Sequence, residues 1–221
     1  MSTTPQSTTQ EYRNKWYAYY SEKRITHHWL QCSLLGNLGV QKVLEVGPYM
    51  GLTTHMLSNA GYDVTTLDID EKAANSPAKD HVVSDIRQLT ADKIKGFDAI
   101  ICCETLEHIA WEDVDDVIKV FKDSGAKWII VSVPYQGLQF GFSLYLNPFK
   151  AKKSTFLKIH EHRNFKCKDW DDFDEHKWET GWKGYSTKKF KDKFTAAGLE
   201  VTKEDFSTGC RSLFLVLRNN G

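Results

Sequence analysis

The chain has 221 residues, 41% hydrophobic and 26% charged, with 29 lysines and arginines balanced by 29 aspartates and glutamates. This length and composition fit one globular domain with a proper core and exclude a disordered chain. Zero net charge argues against wholesale nucleic-acid binding, and no apolar run approaches the roughly 18–20 residues of a membrane span.

Residues 1–10 read as a frayed leader, MSTTPQSTTQ, without the apolar and basic regions of a secretory signal. From Glu11 to Leu38, apolar and aromatic residues recur mostly every three or four positions. The spacing predicts one or two helices, a cap over 11–40. Short β-rich runs follow at 42–47, 63–68, 81–84, 97–103 and 127–133, with helical patterns between them at 52–60, 71–76, 88–94 and 111–123. The strands are apolar on both faces, as in a parallel sheet covered by helices. Regularity lapses after the fifth strand, and 134–184 reads as a functional insertion. It resumes with a helix at 187–197 and strands near 199–206 and 211–218, so that 185–221 closes a single α/β domain. The five cysteines (Cys32, Cys102, Cys103, Cys167 and Cys210) include no C-x-x-C pair. An odd set without that spacing is neither a disulfide framework nor a zinc module, and it predicts a reducing, cytoplasmic setting.

Glu45-Val46-Gly47-Pro48-Tyr49-Met50-Gly51 links the first strand to the first helix of the alternating region. Gly47 permits a sharp turn and Gly51 a close backbone approach, though any doubly wound fold needs such a turn. Asp68 ends the second strand, where its carboxylate could accept both hydroxyls of a ribose or else cap a helix. Asp85 ends the third strand. In this order the residues resemble the class I S-adenosylmethionine-dependent methyltransferases, well over 42–133 and more loosely over the last two strands.

That resemblance implies a seven-stranded, mostly parallel, Rossmann-like sandwich with an N-terminal helical cap, a cofactor-binding core at 42–133 and a substrate lid after strand five. It implies S-adenosylmethionine as cofactor, with Glu45, Gly47, Tyr49 and Gly51 at the first turn. Asp68 and Ile69 would lie at the ribose, Asp85 and Ile86 at the adenine, and Cys103 at the end of strand four. Tyr49 departs from the family's acid-x-G-x-G-x-G pattern by replacing the middle glycine. It would obstruct the close approach that a dinucleotide pyrophosphate needs, whereas S-adenosylmethionine has no phosphate.

Glu104, Glu107 and His108 follow the fourth strand at i, i+3 and i+4. If helical, they place two carboxylates and an imidazole on one face, a set suited to Mg²⁺ or Mn²⁺. The bland alternative is glutamates favouring a helix N-terminus beside a structural histidine. The E-x-x-E-H arrangement resembles those of ubiquinone-biosynthesis O-methyltransferases and small-RNA 3′-terminal 2′-O-methyltransferases. In the latter a further histidine completes a metal site, and His176 in Asp174–Glu179 matches it. Without a metal, His108 or His176 is the catalytic general base.

The insertion is rich in aromatic residues, as a substrate lid or a plain hydrophobic cap would be. His160 and His162 lack further ligands at zinc spacing. Between 147 and 193, thirteen Lys/Arg face eight Asp/Glu, a surplus open to an anionic substrate or to a solvated face. The function expected is methyl transfer to a hydroxyl of a small molecule or sugar. An RNA 3′-end 2′-O-methyltransferase, a metal-independent N-methyltransferase and a non-catalytic cofactor-binding scaffold remain as alternatives.

Overall fold

A computed structural model describes residues 10–71, 77–137, 139–147, 150–158, 176–207 and 211–221. The leader, apart from Gln10, most of the expected helix at 71–76, the His160/His162 stretch, Cys167 and Cys210 lie outside the described residues. Helices α1 (Gln10–Tyr19) and α2 (Glu22–Ser33) form the N-terminal pair. Ser21 separates them and caps α2, its hydroxyl accepting from the Arg24 amide.

Five strands follow: β1 (Lys42–Val46), β2 (Asp63–Asp68), β3 (Asp80–Val83), β4 (Ala99–Cys103) and β5 (Trp128–Pro134). After them come β6 (Gln139–Asn147), β7 (Lys150–Lys158), β8 (Leu199–Phe206) and β9 (Ser212–Asn219). Helix α3 (Leu52–Asn59) connects β1 to β2, α4 (Val114–Asp123) connects β4 to β5, and α5 (Thr187–Ala196) precedes β8. The main sheet runs β3-β2-β1-β4-β5-β9-β8, with β1 to β5 parallel and β9 antiparallel to both neighbours. Strand order reverses between β1 and β4, the place where an open α/β sheet leaves a crevice at its carboxyl edge.

Alternation along the strands fills two cores. Leu44, Val46, Ile100, Cys102, Ile129 and Val131 face α4 and α5, where Val117, Phe121, Phe190 and Phe194 are buried. Val43, Ala99, Ile101, Cys103 and Ile130 face the other way, onto Leu34, Leu35 and Leu57. Burial pushes both the Cys102 and Cys103 thiols up, which keeps them protonated.

Two local expectations differ from the structure. The helix expected at 88–94 is a pair of 3₁₀ turns, Ile86–Gln88 and Ala91–Ile94. The Asp85 carboxylate captures the Arg87 amide at 2.9 Å, and Leu89 leaves the first turn in extended conformation, so no α-helix propagates. The insertion also holds regular structure: β6 and β7 pair antiparallel as a ribbon separate from the main sheet. Its alternation was hidden among lysines and glycine, which dilute a period-two pattern.

Candidate active site

The turn after β1 is shaped by close approach. Gly47 has φ +71°, and a Cβ there would sit 2.4 Å from the Thr105 hydroxyl. Its amide donates to the Leu67 carbonyl at 2.9 Å, holding the turn against the end of β2. Tyr49 takes the left-handed conformation, φ +48°, at the position where the family pattern has glycine. Its ring packs 4.7 Å from Tyr19 of the cap. Gly51, φ +75°, starts α3.

A cavity of about 230 Å³ opens over the ends of β1 to β4. Gly47, Tyr49, Asp68, Ile69, Asp85 and Ile86 all line it, as do Glu104, Thr105 and His108 beyond β4. Asp68 accepts one bond, from the Asp70 amide at 3.0 Å. Asp85 is more committed: Arg87 donates to it from Nη2 at 2.6 Å and from Nε at 3.1 Å. That guanidinium holds the Asp85 carboxyl below the usual carboxylate range. Glu45 and Cys103 lie outside this cavity and line a smaller neighbouring one under the cap. Glu45 is buried, accepts the Thr54 hydroxyl at 2.6 Å, and is raised by burial to about 7. Gly51 lines neither cavity and acts on the backbone of the turn.

The Glu104–His108 stretch is not one helical face. Glu104 has φ +51°, and only Leu106–His108 form a 3₁₀ turn. The kink sends the two glutamates to different places. Glu104 accepts the hydroxyls of Ser132 at 2.8 Å and Ser212 at 3.1 Å. Glu107 is fully buried, and neither of its carboxylate oxygens has a hydrogen-bond partner. Burial first, then the nearby Glu104 charge, hold its carboxyl well above the usual range.

Chain tethers bring in the histidine from the far side of the insertion. Lys177 donates its backbone amide to the Glu107 carbonyl at 2.7 Å, and the Trp178 indole donates to the Ile109 carbonyl at 3.1 Å. Trp178 is fully buried against Trp111 and Phe190. So anchored, the segment sets the His176 ring 4.9 Å from that of His108. Ligating atoms of Glu107, His108 and His176 all lie within 4.8 Å of one another; Glu104 is not in the group. The expected four-residue cluster is therefore three, because the left-handed turn at Glu104 removes the first carboxylate. His176 Nδ1 lies 2.6 Å from a Glu179 oxygen, which leaves Nε2 for the cluster and fixes the tautomer as an outer carboxylate does around metal-bound histidines. Neither the Glu179 partner nor the residues around the smaller cavity, Tyr19, Arg24 and His27 of the cap and Arg211 before β9, stand out in the sequence. They carry no spacing pattern. Only the His27-His28 pair, on an otherwise amphipathic helix, gives a local hint of a polar lining.

A family model described as a methyltransferase domain matches residues 13–204. The chain belongs to this methyltransferase family. It is a class I S-adenosylmethionine-dependent methyltransferase, with the sheet order and cofactor edge that the enzyme class requires. A curated relative, the ubiquinone biosynthesis O-methyltransferase of Bordetella avium (strain 197N), is 27% identical over 111 residues. That match covers 43% of this chain and 46% of the relative, so the chain aligns with less than half of the curated protein.

Among solved structures, the magnesium protoporphyrin IX methyltransferase of Synechocystis PCC 6803 with bound SAH superposes with a TM-score of 0.60 at 15% identity, covering 96% of both chains. The glycopeptide N-methyltransferase MtfA complexed with S-adenosylmethionine gives 0.58 at 13%, covering 90% of this chain and 95% of its own. The methyltransferase domain of bacterial CtHen1-CN gives 0.57 at 16%, covering 87% and 97%. At these identities the three share the fold with this chain. Among the described residues no helix is long and apolar enough to cross a membrane.

Proposed function

We propose that this methyltransferase alkylates a hydroxyl oxygen of a small molecule or sugar, at a site where Glu107, His108 and His176 hold a divalent cation. The observation that carries the reading is their convergence within 4.8 Å, with His108 also lining the large cavity. The orphaned, buried Glu107 oxygens fit a cation, which would supply the missing partners and favour the ionised carboxylate. With Glu104 outside the group, two imidazoles and one carboxylate suit Mn²⁺ or a later transition ion better than Mg²⁺, which prefers oxygen. Such an ion would lower the pKa of a bound acceptor hydroxyl.

The cofactor contacts follow the large cavity. Asp68 would hold the ribose and Asp85 the adenine edge, with Ile69 and Ile86 lining the same cavity. Glu45 props the β1 turn from beneath through Thr54. In the reaction the sulfonium–methyl bond breaks as the oxygen–methyl bond forms, and the hydroxyl proton leaves. The sulfonium already carries the activated methyl, so the protein needs no covalent nucleophile. Its work is to orient the acceptor and exclude water; the hydroxyl proton would pass to solvent with a cation held by the three residues, and to the His108 or His176 imidazole without one.

The test is S-adenosylhomocysteine release over an acceptor panel with and without a chelator, in wild type and Glu107→Ala. Turnover should fall roughly 10²-fold or more in the variant while cofactor affinity holds. Activity that survives exhaustive chelation would remove the cation and leave His108 as the base. A second reading, an RNA 3′ end as acceptor, draws on the lysines of β7 (Lys150, Lys152, Lys153 and Lys158). It requires RNA binding that weakens steeply with salt.

A further inference from the structure

The two ends of the insertion meet at the end of β5. The Pro134 carbonyl accepts from Thr180 twice, from its amide at 3.1 Å and from its hydroxyl at 2.7 Å. The Gln136 amide donates back to the Thr180 carbonyl at 2.8 Å, and Tyr135 and Thr180 pair in a parallel bridge. Gly181 lets the segments close. At φ +93° it lies so near Gln136 that a Cβ would come 2.2 Å from the Gln136 carbonyl oxygen.

Glu179 sits in this clasp, 7% exposed, with both carboxylate oxygens engaged. Oε1 lies 2.6 Å from His176 Nδ1, and Oε2 accepts from the Gln136 side-chain amide. A carboxylate that accepts at both ends fits an imidazole with its proton on Nδ1 and its lone pair on Nε2. With Oε1 alone bonded, the carboxylate could still turn about its last torsions. Gln136 holds the far oxygen and thereby sets the direction of the near one. Closing the insertion does not require this pair, because Thr180 and Gly181 already join the two segments. What the pair adds is a fixed ring at His176, one of the three residues that converge with Glu107.

We infer that Gln136 and Glu179 are positioning residues for the cation: Gln136 aims the Glu179 carboxylate, and the carboxylate holds the His176 imidazole with Nε2 left to the cluster. The inference rests on the cation site proposed above and deepens it. It makes the third ligand depend on the end of β5 as well as on the tethers to Glu107 and Ile109. Each end of the insertion then gives one residue to the holding of His176, Gln136 from the start and Glu179 from the finish. Outer carboxylates around metal-bound histidines act in this way, through ring orientation and tautomer.

The experiment titrates Co²⁺ alone into the full chain by calorimetry and follows its visible absorption, which reports the ligand set. S-adenosylhomocysteine affinity is measured beside it. Glu179→Ala should weaken Co²⁺ roughly 10- to 100-fold and shift the absorption bands. Gln136→Ala should weaken it about 3- to 10-fold, since the carboxylate remains but loses its aim. Glu179→Gln should recover most of the loss: its amide oxygen still accepts from Nδ1, and the Gln136 amide can turn to meet its NH₂. All three variants should bind S-adenosylhomocysteine as wild type does. Wild-type Co²⁺ affinity in both alanine variants overturns the inference. So does a Co²⁺ loss matched by S-adenosylhomocysteine, which would make the pair a strut of the fold. Glu179→Gln no better than Glu179→Ala overturns it too, by making charge rather than aim the quantity that matters. Wild type that takes up no Co²⁺ strikes the cation site itself, whereas Co²⁺ lost in Glu107→Ala and kept in Glu179→Ala strikes this inference alone.

Discussion

The large cavity and the Glu107 cluster meet at His108, yet they are assembled by different kinds of contact. The cavity is framed by four neighbouring parallel strand ends, locked by ladder hydrogen bonds and by turns of a few residues. The cluster draws two members from a 3₁₀ turn and the third from the last part of the insertion. A backbone bond from Lys177 to the Glu107 carbonyl and one from the buried Trp178 indole to the Ile109 carbonyl hold that segment in place. A frame made by the sheet tolerates loss of one side chain, because its geometry belongs to the backbone. A tethered cluster depends on each tether. Substitutions in the frame should therefore change affinity by the worth of the contact removed, and those in the cluster should change turnover.

The largest effect inside the frame belongs to Gly47, where the backbone itself is the contact. Gly47→Ala puts a methyl 2.4 Å from the Thr105 hydroxyl and strains a residue at φ +71°. We expect about 2–4 kcal/mol of lost stability by urea unfolding, with cofactor binding lost in parallel. Adding Thr105→Ala should recover the clash and leave the strain. A Gly47→Ala protein of unchanged stability would show that the turn is softer than the sheet, and the comparison would fail.

Protonation sets the cap against the frame. Burial lowers His27 to about 3 and His28 to about 4. The unfolded chain therefore binds more protons than the folded one below pH 6.5, and stability falls as pH drops from 6.5 toward 3. Glu45 acts oppositely: raised to about 7, it makes stability fall as pH rises from about 4.5 to 7. Glu104 and Glu107, also raised by burial, act in the same sense as Glu45, so the histidine contribution is read by substitution rather than from the wild-type curve alone. Thermal melts of wild type and His27→Gln should converge as pH falls. A gap independent of pH would mean that His27 is not held neutral.

Asp68→Ala should weaken S-adenosylhomocysteine by about 1–3 kcal/mol through lost ribose hydrogen bonds, with little change in stability. Equal calorimetric affinity would remove Asp68 from the ribose.

The same contrast explains what the sequence made legible. Strands β1, β2, β4 and β5 stand out because both faces are buried, and each acid at a strand end inherits its place from the strand. Asp68, Asp85 and the β1 turn could be found that way. Glu104 could not: helical spacing presumes helical dihedrals, and one left-handed residue redirects its carboxylate to Ser132 and Ser212. His176 was reached through a family resemblance, since a tether between Lys177 and Glu107 leaves no periodic mark. Arg24 and Arg211 are separated by nearly the whole chain, and only the fold sets them at one cavity.

Tyr49 gives the smallest expected effect and the sharpest comparison, because it belongs to the frame by its backbone and to the cap by its ring. Its left-handed backbone costs about 1–2 kcal/mol relative to glycine. Its packing on Tyr19 at 4.7 Å returns about 0.5–1.5 kcal/mol. Tyr49→Gly should therefore leave stability within about 1 kcal/mol of wild type, the gain in the turn cancelling the loss to the cap. Cofactor affinity should drop only a few-fold, since the ring borders both cavities but supplies no charge to either. Urea unfolding beside calorimetry separates the two roles. A stability loss above about 2 kcal/mol would mean that the ring pins the cap to the sheet, and that the turn carries its strain to keep it there.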